Sequence, residues 1–273
     1  MSKGLTALIQ PNILIWARQY AYLPSEEAAR RIGIPSEKLL SWEDGSSLPT
    51  INQLHDIARV YHQPFAVFYL SIPPKPITLP VKDYRRLPGE GMPNISPELA
   101  NEIRTAINRR EISLDLSQEI GEPVPEFSLS LSINDPPDKS GEIIRKQLGI
   151  TYEKQKNWRE SRISFNNWRE NLEKYGVLVF QSSQISLTVA RGFSIGEYPL
   201  PVIVVNRKDT YTGRIFTLLH EFAHILLRTS GVCEVDPDVF LPPEEQKVEI
   251  FCNQIAAETL MPRSEFFSEY QHI

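Results

Sequence analysis

The sequence predicts an α+β protein, in which an all-helical N-terminal region is followed by a region that combines helices with a small β-sheet. Apolar residues recur at helical spacing through residues 1–72, whereas prolines crowd residues 73–97. Three short runs of β-forming residues lie between residues 176 and 205, flanked by further helical patterns. We therefore predict an N-terminal domain at residues 1–72, a proline-rich connector at 73–97 and a second domain at 98–273.

The composition of the chain narrows the class of protein. Its 273 residues allow about one or two domains, and the formal net charge of -5 argues against polyanion binding by the whole surface. The two cysteines, Cys233 and Cys252, form no CxxC pair, which argues against a disulfide scaffold. The sequence shows neither a signal-peptide pattern nor a run of ~20 apolar residues able to cross a bilayer. These features predict a cytoplasmic protein with no membrane partner.

The N-terminal domain is predicted to consist of short helices joined by tight turns. The helical segments cover residues 12–22, 26–31 and 36–43, and a fourth helix begins after Pro49-Thr50. Ser25 is placed as the N-cap of the second helix, which Gly33 ends. Thr50 and Gln53 have the spacing of a capping box at the start of the fourth helix.

The second domain is predicted to contain helices before and after the sheet. Helical patterns cover residues 97–120, 140–148 and 165–174, and the candidate strands are residues 176–181, 192–195 and 201–205. After the strands, one helix ends near Leu227, and a last helix begins at Pro242-Pro243 and ends at Met261-Pro262. This order of elements is typical of an α+β domain.

A metal-binding pattern lies in the first helix after the strands. The segment from Ile215 to Leu227 is almost entirely apolar apart from Thr217 and the sequence His220-Glu221-Phe222-Ala223-His224. A helix that is apolar on all sides is buried, and ionisable groups inside it are costly unless they are paired. The two histidines are spaced i and i+4, so they share one face and can bind one ion. The pattern therefore predicts a zinc site, with Glu221 placed to take a proton from water at the open coordination position.

A catalytic zinc site requires a third protein ligand, and several downstream acids are candidates. These acids are Glu234, Asp236, Asp238, Glu244, Glu245, Glu249 and Glu258. Glu249 and Asn253 are one turn apart and flank the apolar stripe of the last helix. We expect Glu249 to ligate the metal and Asn253, which does not bind the metal itself, to orient a histidine ligand. The alternative is that Glu249 lies on a solvated face.

Two segments resemble the ImmA/IrrE metallo-endopeptidases. The first is Arg214-Ile-Phe-Thr-Leu-Leu-His-Glu-Phe-Ala-His-Ile-Leu-Leu227, and the second is Glu249-Ile-Phe-Cys-Asn-Gln-Ile-Ala-Ala-Glu-Thr-Leu-Met-Pro262. The segments Arg191-Gly-Phe-Ser194 and Pro201-Val-Ile-Val-Val-Asn206 also fit that family. The resemblance covers about residues 160–265.

This resemblance implies a zincin-like domain with a small β-sheet and an HExxH helix. It also implies that Glu221 is the general base and that the zinc ligands are His220, His224 and Glu249. The chain departs from the family pattern, away from these ligands, at Cys252, Ile255 and Thr259. Members of the family are thought to cleave regulators, often helix-turn-helix repressors, and the motif does not identify the regulator that this chain would cleave.

Residues 10–70 resemble the helix-turn-helix fold of Cro/CI-type (XRE-type) regulators, through the segments Ser25–Gly45 and Leu48–Ala58. The resemblance implies a recognition helix with outward side chains at Ser36, Glu37, Lys38 and Ser41. Residues 1–72 contain six basic and six acidic side chains, so the module is neutral and attracts DNA phosphates weakly. Dimerisation of the module could restore a basic patch. Contact with a protein is the alternative use of the module.

Two functions from different classes remain open. In the first, a zinc endopeptidase cleaves a protein such as a helix-turn-helix repressor or a toxin, and the N-terminal module recognises DNA or protein. In the second, a DNA-binding transcriptional regulator or antitoxin uses the peptidase-like domain as a sensor or scaffold. Glu221 favours the first, because zinc binding alone does not require it. The connector motif Asp83-Tyr-Arg-Arg-Leu-Pro88 is either a docking element for the peptidase domain or a solvated loop.

Overall fold

The computed structural model describes residues 5–77, 79, 95–125, 128–228, 232–233 and 243–270. It confirms the α+β class, with an N-terminal helical region followed by a region of helices and sheet. The chain divides into one unit of residues 1–79 and 95–101 and a second unit of residues 80–94 and 102–273. Most of the predicted connector, including Asp83–Pro88, lies outside the described residues, and the predicted domain limits stay predictions.

The first unit is built from short helices. They are α1 Pro11–Tyr20, α2 Ser25–Ile32, α3 Ser36–Glu43, α4 Ile51–Val60 and a 3-10 helix at Phe65–Tyr69. The capping box at α4 is confirmed, since Thr50 Oγ1 accepts from the Gln53 amide while Gln53 Oε1 accepts from the Thr50 amide. The predicted N-cap at Ser25 is wrong. Pro24 occupies the cap position without a side-chain bond, because its fixed φ lets the helix begin one residue earlier.

The core of the first unit forms where these helices meet. Trp42, Tyr61 and Phe68 are the largest fully buried side chains there. An ion pair links α1 to α3, with Arg18 Nε 2.6 Å from Glu43 Oε1. Both partners are largely shielded from water, so loss of either one would leave an uncompensated charge.

The second unit contains seven helices among the described residues, the first of which begins in the first unit. They are α5 Pro97–Ile120, α6 Pro137–Gln147, α7 Tyr152–Lys156, α8 Ser161–Lys174, α9 Tyr211–Leu226, α10 Pro243–Leu260 and α11 Arg263–Tyr270. The sequence patterns did not predict α7 or α11. No helix in the described part of the chain is both long enough and apolar enough to span a membrane.

A four-stranded sheet supports the helices of the second unit. Its strands are β1 Leu178–Ser182, β2 Gly192–Ile195, β3 Val202–Asn206 and β4 Val232–Cys233. The order is β1-β3-β2-β4, in which β1 and β3 are parallel and β2 is antiparallel to both β3 and β4. All of β3 is buried, and α9 packs against β2 and β3. The sheet therefore fixes α9 within the core, between the strands and helices α8 and α10.

Candidate metal centre

Helix α9 carries its ionisable residues into the core. Thr210 caps the helix, since its Oγ1 accepts from the Gly213 amide at 3.1 Å. His220 is 1% exposed, and Glu221 and His224 are 0% exposed. The prediction of a buried helix is confirmed. The chain therefore places two imidazoles and a carboxylate where water cannot solvate them.

Helix α10 brings Glu249 to the two histidines. The helix packs directly against α9, and its apolar side is buried through Phe251, Cys252 and Ile255. Glu249 lies at the edge of that side, with 21% of its side chain exposed. Of the other acids considered, Glu234, Asp236 and Asp238 lie outside the described residues, and Glu244 and Glu258 pair with Lys247 and Arg263. Glu245 is not part of the cluster.

The three side chains converge on one point. Glu249 Oε2 lies 3.3 Å from His220 Nε2, and Glu249 Oε1 lies 3.2 Å from His224 Nε2. The two Nε2 atoms are 3.2 Å apart, and the three ligand atoms lie within 4.8 Å of one another. This is the one His, Cys, Asp or Glu cluster suited to a metal ion among the residues that the structure describes.

Asn253 fixes the orientation of the His220 ring. Its Oδ1 lies 3.0 Å from His220 Nδ1. An amide oxygen can only accept, so Nδ1 carries the ring proton and Nε2 keeps a lone pair directed at the cluster. Asn253 is itself exposed, so this support lies at the rim of the site. The orienting role expected of Asn253 stays a prediction.

The donor set fits a divalent cation. Two imidazole nitrogens and one carboxylate suit zinc and other borderline metals, and three protein ligands leave a coordination position open. Both Glu221 oxygens are buried and have no hydrogen-bond partner within the described residues. A fully buried carboxylate without a partner is costly, so its retention beside the two histidines points to a role in chemistry.

The charges of the cluster also favour a cation. Burial raises the pKa of Glu249, but hydrogen bonds to the two histidines outweigh it and lower the pKa to about 2. Burial lowers the pKa of His220, but its bond to Glu249 and the nearby negative charges raise it overall. Burial also raises the pKa of Glu221, and this effect outweighs the nearby His224 and His220, which act to lower it. The two carboxylates therefore attract positive charge, whether as protons or as a metal ion.

The predicted recognition residues lie on α3 of the first unit. Glu37 and Lys38 are exposed, whereas Ser36 and Ser41 are half-buried. Ser41 Oγ donates to the Lys38 carbonyl and bonds to Ser47 Oγ, so it is engaged within the module. The DNA-contact role of these four residues stays a prediction.

Sequence reasoning missed Ser194 on β2, which is fully buried and faces the helix that carries Glu221. The segment Arg191–Ser194 had been noted, without a role. Alternation along the strand puts Gly192 and Ser194 on one face, but it does not identify the helix that this face meets.

The comparisons with known proteins bear on the second unit. Residues 172–273 match the Peptidase_M78 family model, described as the IrrE N-terminal-like domain. The match covers less than half of the chain and includes α9 and α10. This part of the chain is thus similar to domains of ImmA/IrrE peptidase type, and that similarity together with the donor set indicates a divalent metal. Comparison with curated proteins found no match.

Proposed function

We propose that the chain is a zinc-dependent endopeptidase of ImmA/IrrE type that cleaves a regulatory protein. The observation that carries the proposal is the convergence of His220, His224 and Glu249 beside the buried, unpartnered Glu221. A structural zinc site uses four protein ligands, whereas this cluster offers three and leaves room for water. Glu221 adds nothing to such a structural site but is required for hydrolysis.

The site residues have distinct roles in the proposed reaction. His220, His224 and Glu249 would hold the zinc ion, which would supply Lewis-acid polarisation of the peptide carbonyl and would lower the pKa of a bound water. Glu221 accepts the proton of the attacking water and passes it to the leaving amine. Asn253 keeps His220 Nε2 directed at the metal through the bond to Nδ1. Burial of α9 keeps bulk water away from the general base.

Zinc is the metal that we assign. Two histidines and one carboxylate also bind iron(II) in oxygenases, so the donor set alone leaves two metals open. The His220-Glu221-x-x-His224 spacing on one helix, with a carboxylate beside the ligands, is typical of zinc peptidases. The family match supports the same choice.

Removal of the metal is expected to abolish cleavage reversibly. The purified full-length chain should contain about one zinc per molecule. Candidate substrates are repressors or toxins encoded beside it, each purified and incubated with the chain. Cleavage should stop with 1,10-phenanthroline and return when zinc, but not magnesium, is added. A chain that stays metal-free in zinc buffer, or cleavage that survives chelation, would contradict the proposal.

We further propose that the N-terminal module recognises a protein, with DNA binding by a regulator or antitoxin as the second candidate. Every arginine among the described residues of the first unit pairs with a carboxylate. The pairs are Arg18 with Glu43, Arg30 with Glu27, Arg31 with Glu27 and Glu98, and Arg59 with Asp56. Hydrogen bonds from Arg30 and Arg31 lower the pKa of Glu27 to about 2, so it stays ionised. Carboxylates beside each guanidinium oppose the approach of phosphate.

The DNA-binding candidate is tested by fluorescence anisotropy with the chain's own promoter DNA at about 50 and 200 mM salt, the range in which phosphate contacts weaken strongly. We expect no salt-dependent binding by the full-length chain. Glu27→Gln is the matched variant, because it releases Arg30 and removes one of the two carboxylate partners of Arg31, and should raise any residual affinity. Binding by the unmodified chain that weakens steeply between the two salt concentrations would favour the regulator.

A further inference from the structure

Strand β2 lies unusually close to α9. A Cβ atom added to Gly192 would lie 2.6 Å from Thr217 Cγ2 and 2.7 Å from the Val204 carbonyl oxygen. Both distances are too short for any side chain larger than hydrogen. Gly192 therefore faces Thr217 of α9 directly, and the missing side chain permits the close approach.

This contact sets the register between the strand and the helix. Ser194 lies two residues after Gly192, so its side chain shares the face turned towards α9. Glu221 lies four residues after Thr217, one turn further along the same face of the helix. Two residues advance a strand by roughly 7 Å, and one turn advances a helix by roughly 5.4 Å. The Ser194 side chain acts on the Glu221 carboxylate, so the strand and the helix run in the same direction from this contact and Ser194 lies opposite Glu221.

The surroundings of both side chains support this pairing. Ser194 and Glu221 are each 0% exposed. Neither the Ser194 hydroxyl nor either Glu221 oxygen has a hydrogen-bond partner among the described residues. Burial raises the pKa of Glu221, and the Ser194 hydroxyl is among the groups that lower it. A buried donor and a buried acceptor that face each other, with no other partner, gain most from bonding to each other.

We propose that Ser194 is the positioning residue of the general base, donating its hydroxyl proton in a hydrogen bond to one oxygen of the Glu221 carboxylate. The inference rests on the proposed function, in which Glu221 is that base. The bond holds the carboxylate in one rotamer and leaves its second oxygen for the proton of the attacking water. Ser194 does not touch the metal or the substrate, and it acts through Glu221.

The test uses zinc-loaded full-length chain and acetohydroxamate as the probe. Acetohydroxamate chelates zinc and shares a proton with a carboxylate beside the metal, so its Kd reports the position of Glu221. Calorimetry would give the Kd for the unmodified chain, Ser194→Ala, Glu221→Gln and the double variant, which together form a double-mutant cycle. Ser182→Ala is the matched control, because Ser182 is a buried serine of β1 whose Oγ bonds to the Gln184 amide.

We expect Ser194→Ala to weaken probe binding about tenfold, the contribution of one hydrogen bond to a charged group. In the Glu221→Gln background, Ser194→Ala should weaken probe binding by less than about twofold, because the carboxylate that Ser194 would bond to is absent. Zinc content should not change in any variant. An unchanged Kd for Ser194→Ala, or an equal loss in both backgrounds, would overturn the inference. Failure of Glu221→Gln to weaken binding, or absence of binding by the unmodified chain, would instead overturn the proposed function.

Discussion

Glu221→Gln is expected to retain about one zinc per chain and to reduce the rate of substrate cleavage by about 10²- to 10⁴-fold, the usual contribution of general acid-base catalysis. The amide has the size of the carboxylate but cannot accept a proton at neutral pH. The metal ligands His220, His224 and Glu249 are untouched, so binding of zinc should persist. Because the effect lies in the chemical step, kcat should fall while KM changes little.

The measurement combines metal analysis with single-turnover cleavage of an identified substrate. Glu244→Gln is the control, since Glu244 is an exposed acid at the start of α10. Unchanged cleavage by Glu221→Gln would remove Glu221 from the mechanism. Loss of zinc together with cleavage would instead make Glu221 a ligand, which its position outside the three-residue cluster does not predict.

The parts of this centre that could be predicted from the sequence are those encoded within single helices. The i, i+4 spacing of His220 and His224, the apolar surroundings of α9 and the edge position of Glu249 on α10 are all local patterns. The α+β class followed equally from local periodicity. The observed elements follow the predicted order of helices and strands, and the domain limits stay predictions.

The parts that could not be predicted depend on contacts between distant segments or on weak local signals. Ser194 acquires a role only when β2 packs on α9 at Gly192, and nothing within the strand reveals which helix it meets. Helix α7 is a five-residue segment too short to give a periodic pattern. The error at Ser25 arose because both Pro24 and Ser25 suit a helix start, and the fixed φ of Pro24 decided between them.

His224→Ala is expected to weaken zinc binding by about 10²- to 10³-fold. Zinc sites with four ligands bind with about 10–16 kcal/mol, or roughly 2.5–4 kcal/mol for each ligand. The His224 side chain is 0% exposed, so water reaches the vacated position poorly and replaces the ligand incompletely. Competition with a fluorescent zinc chelator would measure the affinity, with circular dichroism as the check that the variant is folded.

Asn253→Ala provides the graded comparison, because it removes a contact to a ligand rather than a ligand. Such supporting contacts contribute about 10- to 100-fold to metal affinity. Because Asn253 is exposed, we expect its removal to weaken zinc binding by about tenfold, at the lower end of this range. Gln254→Ala, at the exposed neighbouring position, should have no effect. A loss of zinc affinity that is largest for His224→Ala, smaller for Asn253→Ala and absent for Gln254→Ala would distinguish a ligand, an orienting residue and a residue outside the site. Equal losses for His224→Ala and Asn253→Ala would mean that ring orientation, rather than the number of ligands, limits the affinity of this centre.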